Sequence, residues 1–421
     1  MLPIRRNMIL RKEKINMKKF LCAFVLVCMI MSCAWADVPI DEEHFPDEVF
    51  RGLVSVSFDI DHDGVLSYQE AESILTINVQ SRGIKDLKGI EYFTRISVLN
   101  CASNDLEKLD LSGNDVSGND DLKELYCQNN KLTDLNVRDN EALRVLNCSN
   151  NQLSDLVVRR NEALIELKCS DNRLTDLDVS NNKALEVLDC GGNRLTGIDV
   201  ASNDVLVELR VGGNELTDID VSQNTSLRIL SVALNQLTAI DLSANTALTE
   251  FACGGNNLIS LDLRKNTALT EVKCESNQLT MLDISGCSEL IRLICYSNEL
   301  ETLNLSGSPK LLQLRCDNNH LAALDLSGNL SINVEDYTSI IDGQKRPRIN
   351  VMKPVRGTDT VDPYPYTLNF GDYMSSSEVD NIVASSVKAA DENNESIDVS
   401  YASGIARFTR ITEVVSYNYS T

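Results

Sequence analysis

Residues 185–205 read LEVLDCGGNRLTGIDVASNDV, and stretches of this length with the same pattern follow one another along most of the chain. The shared frame is L-x-x-L-x-C-x-x-N-x-L-x-x-L-D-V-x-x-N-x-x, in which leucine, cysteine, valine and asparagine hold fixed places. Its first asparagine occurs eleven times, as Asn104, Asn130, Asn151, Asn172, Asn193, Asn214, Asn235, Asn256, Asn277, Asn298 and Asn319. So many matches at a near-constant spacing predict a repeat array in which each stretch of 21 residues forms one coil.

The order of residue types in the frame predicts the shape of one coil. In Leu-x-Cys the two apolar side chains point into the coil, and their neighbours point out from a short strand that pairs in parallel with the next coil. The asparagine follows where the strand turns, and its amide can bind backbone groups that a buried turn would leave without partners. The second half of the frame imitates the first, so we expect the opposite side of each coil to be extended instead of helical.

The spacing and the residue types resemble the leucine-rich repeat signature L-x-x-L-x-L-x-x-N-x-L. The cysteine-bearing frame resembles bacterial leucine-rich repeat surface proteins, above all the cysteine-ladder type of the internalin family. The lead-in IKDLKGIEYFTRI at residues 84–96 looks like an internalin-type repeat, and the resemblance covers roughly residues 75–329. It implies a β-rich solenoid with a parallel β-sheet, and protein–protein or adhesin-like binding through the concave strand face.

The segment before the array begins with an export signal. Residues 17–36, MKKFLCAFVLVCMIMSCAWA, combine a basic start, an apolar run and a small-x-small ending. This pattern predicts a signal peptide over residues 1–36, cleaved after Ala36, with Met17 as the better start. A lipoprotein signal ending at Cys33 is the alternative. No later stretch of 18 residues is apolar throughout, so we expect no transmembrane span and a secreted, extracellular or cell-surface protein.

The charge of the chain narrows the classes of partner. The formal net charge is −23 at pH 7, and residues 1–36 contain seven Lys/Arg and one Glu, so the remaining chain carries −29. Such a surface repels nucleic acid and anionic lipid, and it favours solubility and divalent cations. We therefore expect no nucleic-acid partner.

Cysteine recurs in an apolar position of the frame. The eight cysteines at this position are Cys127, Cys148, Cys169, Cys190, Cys253, Cys274, Cys295 and Cys316, and valines fill the two intervening coils. Stacked residues lie about 4.8 Å apart, whereas a disulfide needs Cβ atoms near about 3.8 Å. The pattern favours buried thiols that act as small apolar side chains, with disulfides or a metal site as alternatives. Cys287 stands at the second asparagine position, where we also expect a structural role.

Residues 59–70 read DIDHDGVLSYQE and match the twelve-residue loop of an EF-hand. The residues at its ligand positions are Asp59, Asp61, Asp63, Val65, Ser67 and Glu70. Three aspartates, a backbone carbonyl, a water-mediated contact and a bidentate glutamate would surround calcium, and Gly64 permits the sharp turn. The flanks FPDEVFRGLVSVSF and YQEAESIL have helical spacing. Residues 37–74 are therefore predicted to be a helical EF-hand-like cap with a structural calcium; a cap whose loop does not bind calcium is the alternative.

The outward positions of the predicted strands form columns. The column between Leu and Cys contains Tyr126, Asn147, Lys168, Asp189, Arg210, Ser231, Ala252, Lys273, Ile294 and Arg315, beside a column with Glu124, Glu166, Glu208, Glu250 and Glu271. Basic residues flanked by apolar anchors predict a ligand-binding track made of Tyr126, Lys168, Arg210, Lys273, Ile294, Tyr296 and Arg315. The alternative is cross-strand pairing of Glu with Lys, which would only keep an exposed sheet soluble.

A second acidic column follows the other half of the frame and consists of Asp178, Asp199, Asp220, Asp241, Asp262, Asp283 and Asp325. Like charges one coil apart repel, so these carboxylates need backbone hydrogen bonds, hydroxyl partners or cations. Turn formation is the expected role, and peripheral calcium is the alternative.

After Asn329 the frame stops, and the segment KRPRINVMKPVRGTDTVDPYPY carries four prolines. The stretches YTLNF, IDVSYASGIARF and ITEVVSYNYST alternate as strands do. Residues 330–421 are predicted to form a β-rich C-terminal cap with a helix over SSEVDNIVASSVKAA. We find no wall-sorting pentapeptide or terminal hydrophobic tail. Free secretion, non-covalent attachment, lipid attachment at Cys33 and truncation at Thr421 stay open.

The sequence favours a binding module over an enzyme. Its three histidines, His44, His62 and His320, lie in the predicted cap, in the loop and in the last coil. It contains no Ser/His/Asp order, zinc-ligand spacing or phosphate loop. We expect a monomeric, non-enzymatic protein that binds a protein or glycan on a host or partner cell surface. A self-associating matrix or envelope scaffold without a foreign ligand is the alternative.

Overall fold

The structure is a computed structural model that describes residues 37–111, residues 122–321 and short pieces of 323–416. Two compact units divide the chain, Met1–Asn140 and Glu141–Thr421. The predicted signal peptide at residues 1–36 lies outside the described residues, as does most of the predicted C-terminal cap.

The first unit begins with two short helices, α1 (Glu48–Ser57) and α2 (Tyr68–Ser73). Asp47 starts α1, because its carboxylate accepts hydrogen bonds from the amides of Val49 and Phe50. The helix buries Phe50 and Val54. The remaining elements of this unit are a 3-10 helix at Ile90–Tyr92, an antiparallel pair Val38–Pro39 with Val65–Leu66, and parallel strands Thr76–Asn78, Val98–Asn100 and Glu124–Tyr126.

The second unit contains a ladder of parallel strands. They are Val145–Asn147, Glu166–Lys168, Val187–Asp189, Glu208–Arg210, Ile229–Ser231, Glu250–Ala252, Glu271–Lys273, Arg292–Ile294 and Gln313–Arg315. Each strand residue pairs with the residue 21 positions later, as Leu188 pairs with Leu209. The register therefore equals the sequence period, and residues of one type stack in columns as predicted.

The opposite side of the coils is extended or turned, and residues 141–321 contain no helix. Ser260–Asp262 pairs in parallel with Met281–Asp283, which makes a second, two-stranded sheet. The expectation of a non-helical opposite side is confirmed for these coils. Within residues 141–321, strand pairing on this side is limited to this one pair.

Asparagines hold the turns of the coils together. The Asn193 oxygen accepts from the Leu174 amide at 3.0 Å, and its nitrogen donates to the carbonyls of Cys169 and Cys190, each at 3.0 Å. The second asparagine of the frame does similar work on the other side, where Asn203 donates to Val179 at 3.0 Å. The predicted role of the frame asparagines is confirmed, because they bind backbone groups of two adjacent coils.

The second asparagine is replaced at Cys287. Its sulfur lies 3.5 Å from the Leu263 carbonyl and 3.8 Å from the Asn266 carbonyl. One coil earlier, the Asn266 amide nitrogen makes the equivalent contacts, at 3.0 Å to Leu242 and 2.9 Å to Asn245. A thiol is a weak donor, so this coil has weaker side-chain links to its neighbour.

We expect Cys287→Asn to raise the free energy of unfolding by about 1 kcal/mol, because it restores two amide hydrogen bonds. Urea denaturation measures the change. Cys274→Asn is the matched control: this strand-position cysteine is fully buried, and an amide there is expected to cost at least about 2 kcal/mol. If Cys287→Asn destabilised the protein as the control does, the hydrogen-bonding role of this position would be wrong.

The described pieces of the C-terminal segment are strands. Ala323–Leu324 pairs in parallel with Asn350–Val351, and two antiparallel sheets are made of Val355–Arg356, Tyr366–Asn369, Ile405–Phe408 and Val399–Ala402, and of Ser396–Ile397, Lys388–Ala390 and Val414–Ser416. Strands therefore occur in all three stretches that alternate. The predicted helix over residues 376–390 is wrong at Lys388–Ala390, because neighbouring strands pair with these residues on both sides. Residues 376–387 lie outside the described part.

The longest described helix, α1, has ten residues, and none of the helices in the described part is long and apolar enough to cross a membrane.

Candidate functional site

The EF-hand-like loop lies between α1 and α2. Carboxylate oxygens of Asp59, Asp61 and Asp63 lie within 4.8 Å of one another. Asp59 is 1% exposed and accepts from the amides of Asp63 at 3.2 Å and Gly64 at 3.1 Å. Gly64 has a φ of 82°, a left-handed conformation that favours glycine. The loop thus folds around its first aspartate and brings three hard oxygen donors together.

Ser67 and Glu70 form the far end of the loop. The Ser67 hydroxyl and amide donate to one carboxylate oxygen of Glu70, at 2.7 and 2.9 Å, and the Glu70 amide donates to the hydroxyl. The other Glu70 oxygen accepts from the Ile60 amide at 2.6 Å. Glu70 therefore closes the loop onto its second residue while it caps α2.

Burial alone would raise the pKa of Glu70, but hydrogen bonds from Ser67 and from the Ile60 and Asp61 amides outweigh it and hold the pKa below its ordinary value. The carboxylate is therefore ionised at neutral pH. Val65 lies in the strand that pairs with Val38–Pro39, and its amide donates to Asp63 at 2.8 Å. The donor set and the glycine turn fit a calcium ion.

On the strand face of the second unit, the predicted basic residues are paired with glutamates of their own strands. Lys168 lies 2.6 Å from Glu166, and Lys273 lies 2.6 Å from Glu271. The Arg210 guanidinium lies 2.5 Å from Glu208. The alternative, cross-strand pairing of Glu with Lys, is wrong for these three, because residues two apart in a strand point to the same side and meet directly.

Two predicted anchors lie at the end of the ladder. The Arg315 guanidinium lies 4.3 Å above the Tyr296 ring and 3.6 Å from Asp317. Ile294 is half-buried and pairs in register with Arg315. Tyr126 belongs to the first unit, where its hydroxyl donates to Glu124 at 2.9 Å.

The strand face also offers backbone amide donors, which the side-chain types alone do not predict. In two coils of the second unit the column residue accepts a hydrogen bond from the amide two positions later: Ser149 donates to Asn147 and Gly191 donates to Asp189, each at 3.2 Å. The equivalent amides of Gly212 and Ala233 donate to no acceptor within the described residues. The sequence shows only that the column residues there, Arg210 and Ser231, are not Asn or Asp; that Asn or Asp in this column binds an amide is visible only in the structure.

The acidic column forms turns. The Asp178 carboxylate accepts from the Ser180 hydroxyl at 2.6 Å and from its amide at 3.0 Å, and Asp220 accepts from the Ser222 amide at 2.8 Å. The same contact is made by Asp199, Asp241, Asp262 and Asp283 with the amide two residues later. Hydrogen bonds from Ser180 lower the pKa of Asp178, and those from Arg264 lower the pKa of Asp262 to about 2. The predicted turn role is confirmed for these six residues.

The cysteines of the frame are fully buried, and Cys101 extends the set. No disulfide joins the cysteines of the described residues. Burial raises the pKa of Cys101 and of Cys148 to about 12. A thiol that stays protonated inside a coil is a poor nucleophile and metal ligand, so these cysteines serve as core side chains.

The fold is similar to that of leucine-rich repeat proteins of known structure. The functional domain of InlJ from Listeria monocytogenes, which includes a cysteine ladder, has a TM-score of 0.56 and 29% identity over 73% of this chain and 78% of that chain. The internalin InlF from Listeria monocytogenes has a TM-score of 0.57 and 24% identity over 71% and 97%. YopM from Yersinia enterocolitica has a TM-score of 0.50 and 23% identity over 60% and 52%.

No family model matches the sequence, and no curated protein matches it. The structural similarities confirm the predicted fold, a leucine-rich repeat solenoid with a cysteine ladder that resembles the internalins.

Proposed function

We propose that this protein is a secreted or cell-surface bacterial binding protein that recognises a protein or glycan on a host or partner cell through its strand face, without enzymatic activity. The protein is monomeric in this proposal, and a structural calcium holds the N-terminal cap. The resemblance to internalin structures and the export-like first residues support this role.

The observation that carries the proposal is the ladder of parallel strands in the second unit. Its register stacks outward side chains in continuous columns, and repeat proteins use such extended faces for binding. The charged pairs on this face are partly exposed, as in Lys168 with Glu166, so each contributes only about 0–1 kcal/mol to stability. These side chains therefore contribute little to the stability of the fold and can exchange their partners for groups of a ligand. Tyr296 and Arg315 belong to residue types that dominate binding energy in interfaces.

Calcium would be held by Asp59, Asp61, Asp63, Ser67 through water, Glu70 and the Val65 carbonyl. The ion would neutralise carboxylates that otherwise repel one another within 4.8 Å. It would lock the loop between α1 and α2, which is a structural contribution to the cap.

Binding of the mature chain from residue 37, in calcium, to host-cell surfaces and a glycan panel tests the proposal. The variant Lys168/Arg210/Lys273/Arg315→Ser changes the strand face. The variant Arg159/Lys183/Arg264/Lys310→Ser makes the same charge change at exposed turns outside that face.

Saturable binding that is lost in the first variant and kept in the second is the expected result, provided that both variants fold. Binding that survives in the first variant would contradict the role of the strand face. An absence of binding, together with assembly that grows with concentration, would favour the self-associating scaffold instead.

A further inference from the structure

Two coils of the second unit show where an acceptor fits on the strand face. Asn147 and Asp189 place a side-chain oxygen 3.2 Å from the amide two residues later. These oxygens come from the outward column of the sheet, so the amide that they bind is reachable from the face itself. The backbone amide at this position can therefore donate towards the strand face, and the residue in the column decides whether the amide has a side-chain acceptor.

In the next coils the donor is left open. Arg210 and Ser231 occupy the column, and within the described part of the chain the amides of Gly212 and Ala233 have no acceptor. Both residues are partly exposed. Gly212 has no side chain and Ala233 has only a methyl group, so neither covers its own amide. Adjacent coils place these two donors about 4.8 Å apart.

The charges around these amides favour an anionic occupant. Arg210 lies in the same column, and its guanidinium forms an ion pair with Glu208, at 2.5 Å, with 43% of the arginine side chain exposed. Such an exposed pair is weak, so an incoming carboxylate can exchange with it. A carboxylate at this place would receive a backbone N–H and a guanidinium together, and charge-assisted bonds of this kind are strong.

The neighbouring column of glutamates favours a peptide over a polyanionic glycan as the ligand. Glu208, Glu250 and Glu271 stand beside the basic column, and they repel a ligand that carries negative charge on every side. An extended peptide alternates its side chains, so it can point aspartates at the open amides and neutral groups at the glutamates.

We infer that the open amides of Gly212 and Ala233, with Arg210, bind the carboxylates of an acidic, extended segment of a partner protein. This inference rests on the proposed function and names the class of partner. The aspartate of the partner takes the place that Asn147 and Asp189 fill in their own coils.

The variant Arg210→Asn/Ser231→Asn tests this by supplying the acceptors from the protein itself. The variant Arg210→Gln/Ser231→Ala is its control, because it removes the same charge and leaves the amides open. An alternating peptide, (Asp-Ala)3, is the probe, because its aspartates and its neutral residues point to opposite sides; sulfated dextran and hexa-lysine are compared with it. Binding is measured by titration calorimetry, and hydrogen exchange is followed over residues 208–235 of the mature chain.

The peptide is expected to slow exchange at Gly212 and Ala233, and the Asn variant is expected to bind it about tenfold more weakly than the Gln/Ala control. In the unliganded Asn variant the same amides should already exchange slowly, which shows that it is folded and capped. Equal affinity of the two variants would overturn the inference. So would protection by sulfated dextran without protection by the peptide.

Failure of this inference is distinct from failure of the proposed function. If cell binding disappears in Lys168/Arg210/Lys273/Arg315→Ser but is unchanged in Arg210→Asn/Ser231→Asn, the strand face binds its partner without these amides. If cell binding persists in the quadruple variant, the strand-face function itself is wrong.

Discussion

Glu70→Gln is expected to lower the melting temperature in calcium and to abolish the decrease that EGTA causes in the unchanged protein. The substitution removes one negative charge from the calcium loop and one of the two oxygens of a bidentate ligand. Extracellular sites bind calcium with dissociation constants of about 0.1–1 mM. At about 10 mM calcium such a site adds on the order of 1–3 kcal/mol of stability, and the variant should lose most of it.

Glu70 also accepts hydrogen bonds from Ser67 and Ile60, so the variant is expected to be less stable even in EGTA. The difference between the melting temperatures in calcium and in EGTA isolates the contribution of the ion. Glu72→Gln is the matched control, because Glu72 lies in the same helix and contacts Arg95 at 3.3 Å outside the loop. It should keep the full calcium response. Melting of the unchanged protein that does not depend on calcium would refute the structural ion.

The repeat was predictable because its evidence is redundant. Buried positions such as Leu188 and Cys190 accept few residue types, and the asparagine of each coil must bind the backbone of its neighbour, as Asn193 does. Because each coil has the same packing and hydrogen-bonding requirements, the same residue types recur every 21 residues. The strand ladder and the turn role of Asp178 follow from that period.

The contacts of exposed side chains were less predictable. Lys168 has Glu166 two residues earlier on its own strand and Asp189 opposite it in the next coil, and the column pattern is compatible with either partner. The structure selects Glu166, two residues earlier in the same strand. The open amide of Gly212 was not predicted for a different reason: residue types do not show whether a backbone amide has an acceptor. It is recognised only after Asn147 shows what an oxygen in the column does.

Prediction from local spacing is less reliable near the end of the chain, where the repeat has stopped. The helix predicted over residues 376–390 relied on local spacing alone, and Lys388–Ala390 is a strand because more distant segments pair with it. Tertiary pairing overrides local preference where no repeat reinforces it.

The frame asparagines provide the second large effect, and Asn181 offers a control for them. Asn181 is exposed, and its side chain makes one hydrogen bond, at 3.1 Å to the Arg159 carbonyl. Asn181→Ala is expected to change the free energy of unfolding by about 0.5 kcal/mol or less. It removes the same atoms as a substitution at Asn193, so a comparison of the two separates the effect of burial from the effect of the residue type.

Asn193→Ala is expected to destabilise the protein by about 3 kcal/mol, because it leaves the Leu174 amide and the carbonyls of Cys169 and Cys190 without their side-chain partner. The position is only 8% exposed, which restricts replacement by water. Asn193 lies well inside the ladder, and each coil of a repeat array is stabilised by its neighbours. The loss should therefore weaken the array on both sides and broaden the urea transition. Urea denaturation measures the change. A change as small as that of Asn181→Ala would mean that the hydrogen bonds of the frame asparagines do not stabilise the fold.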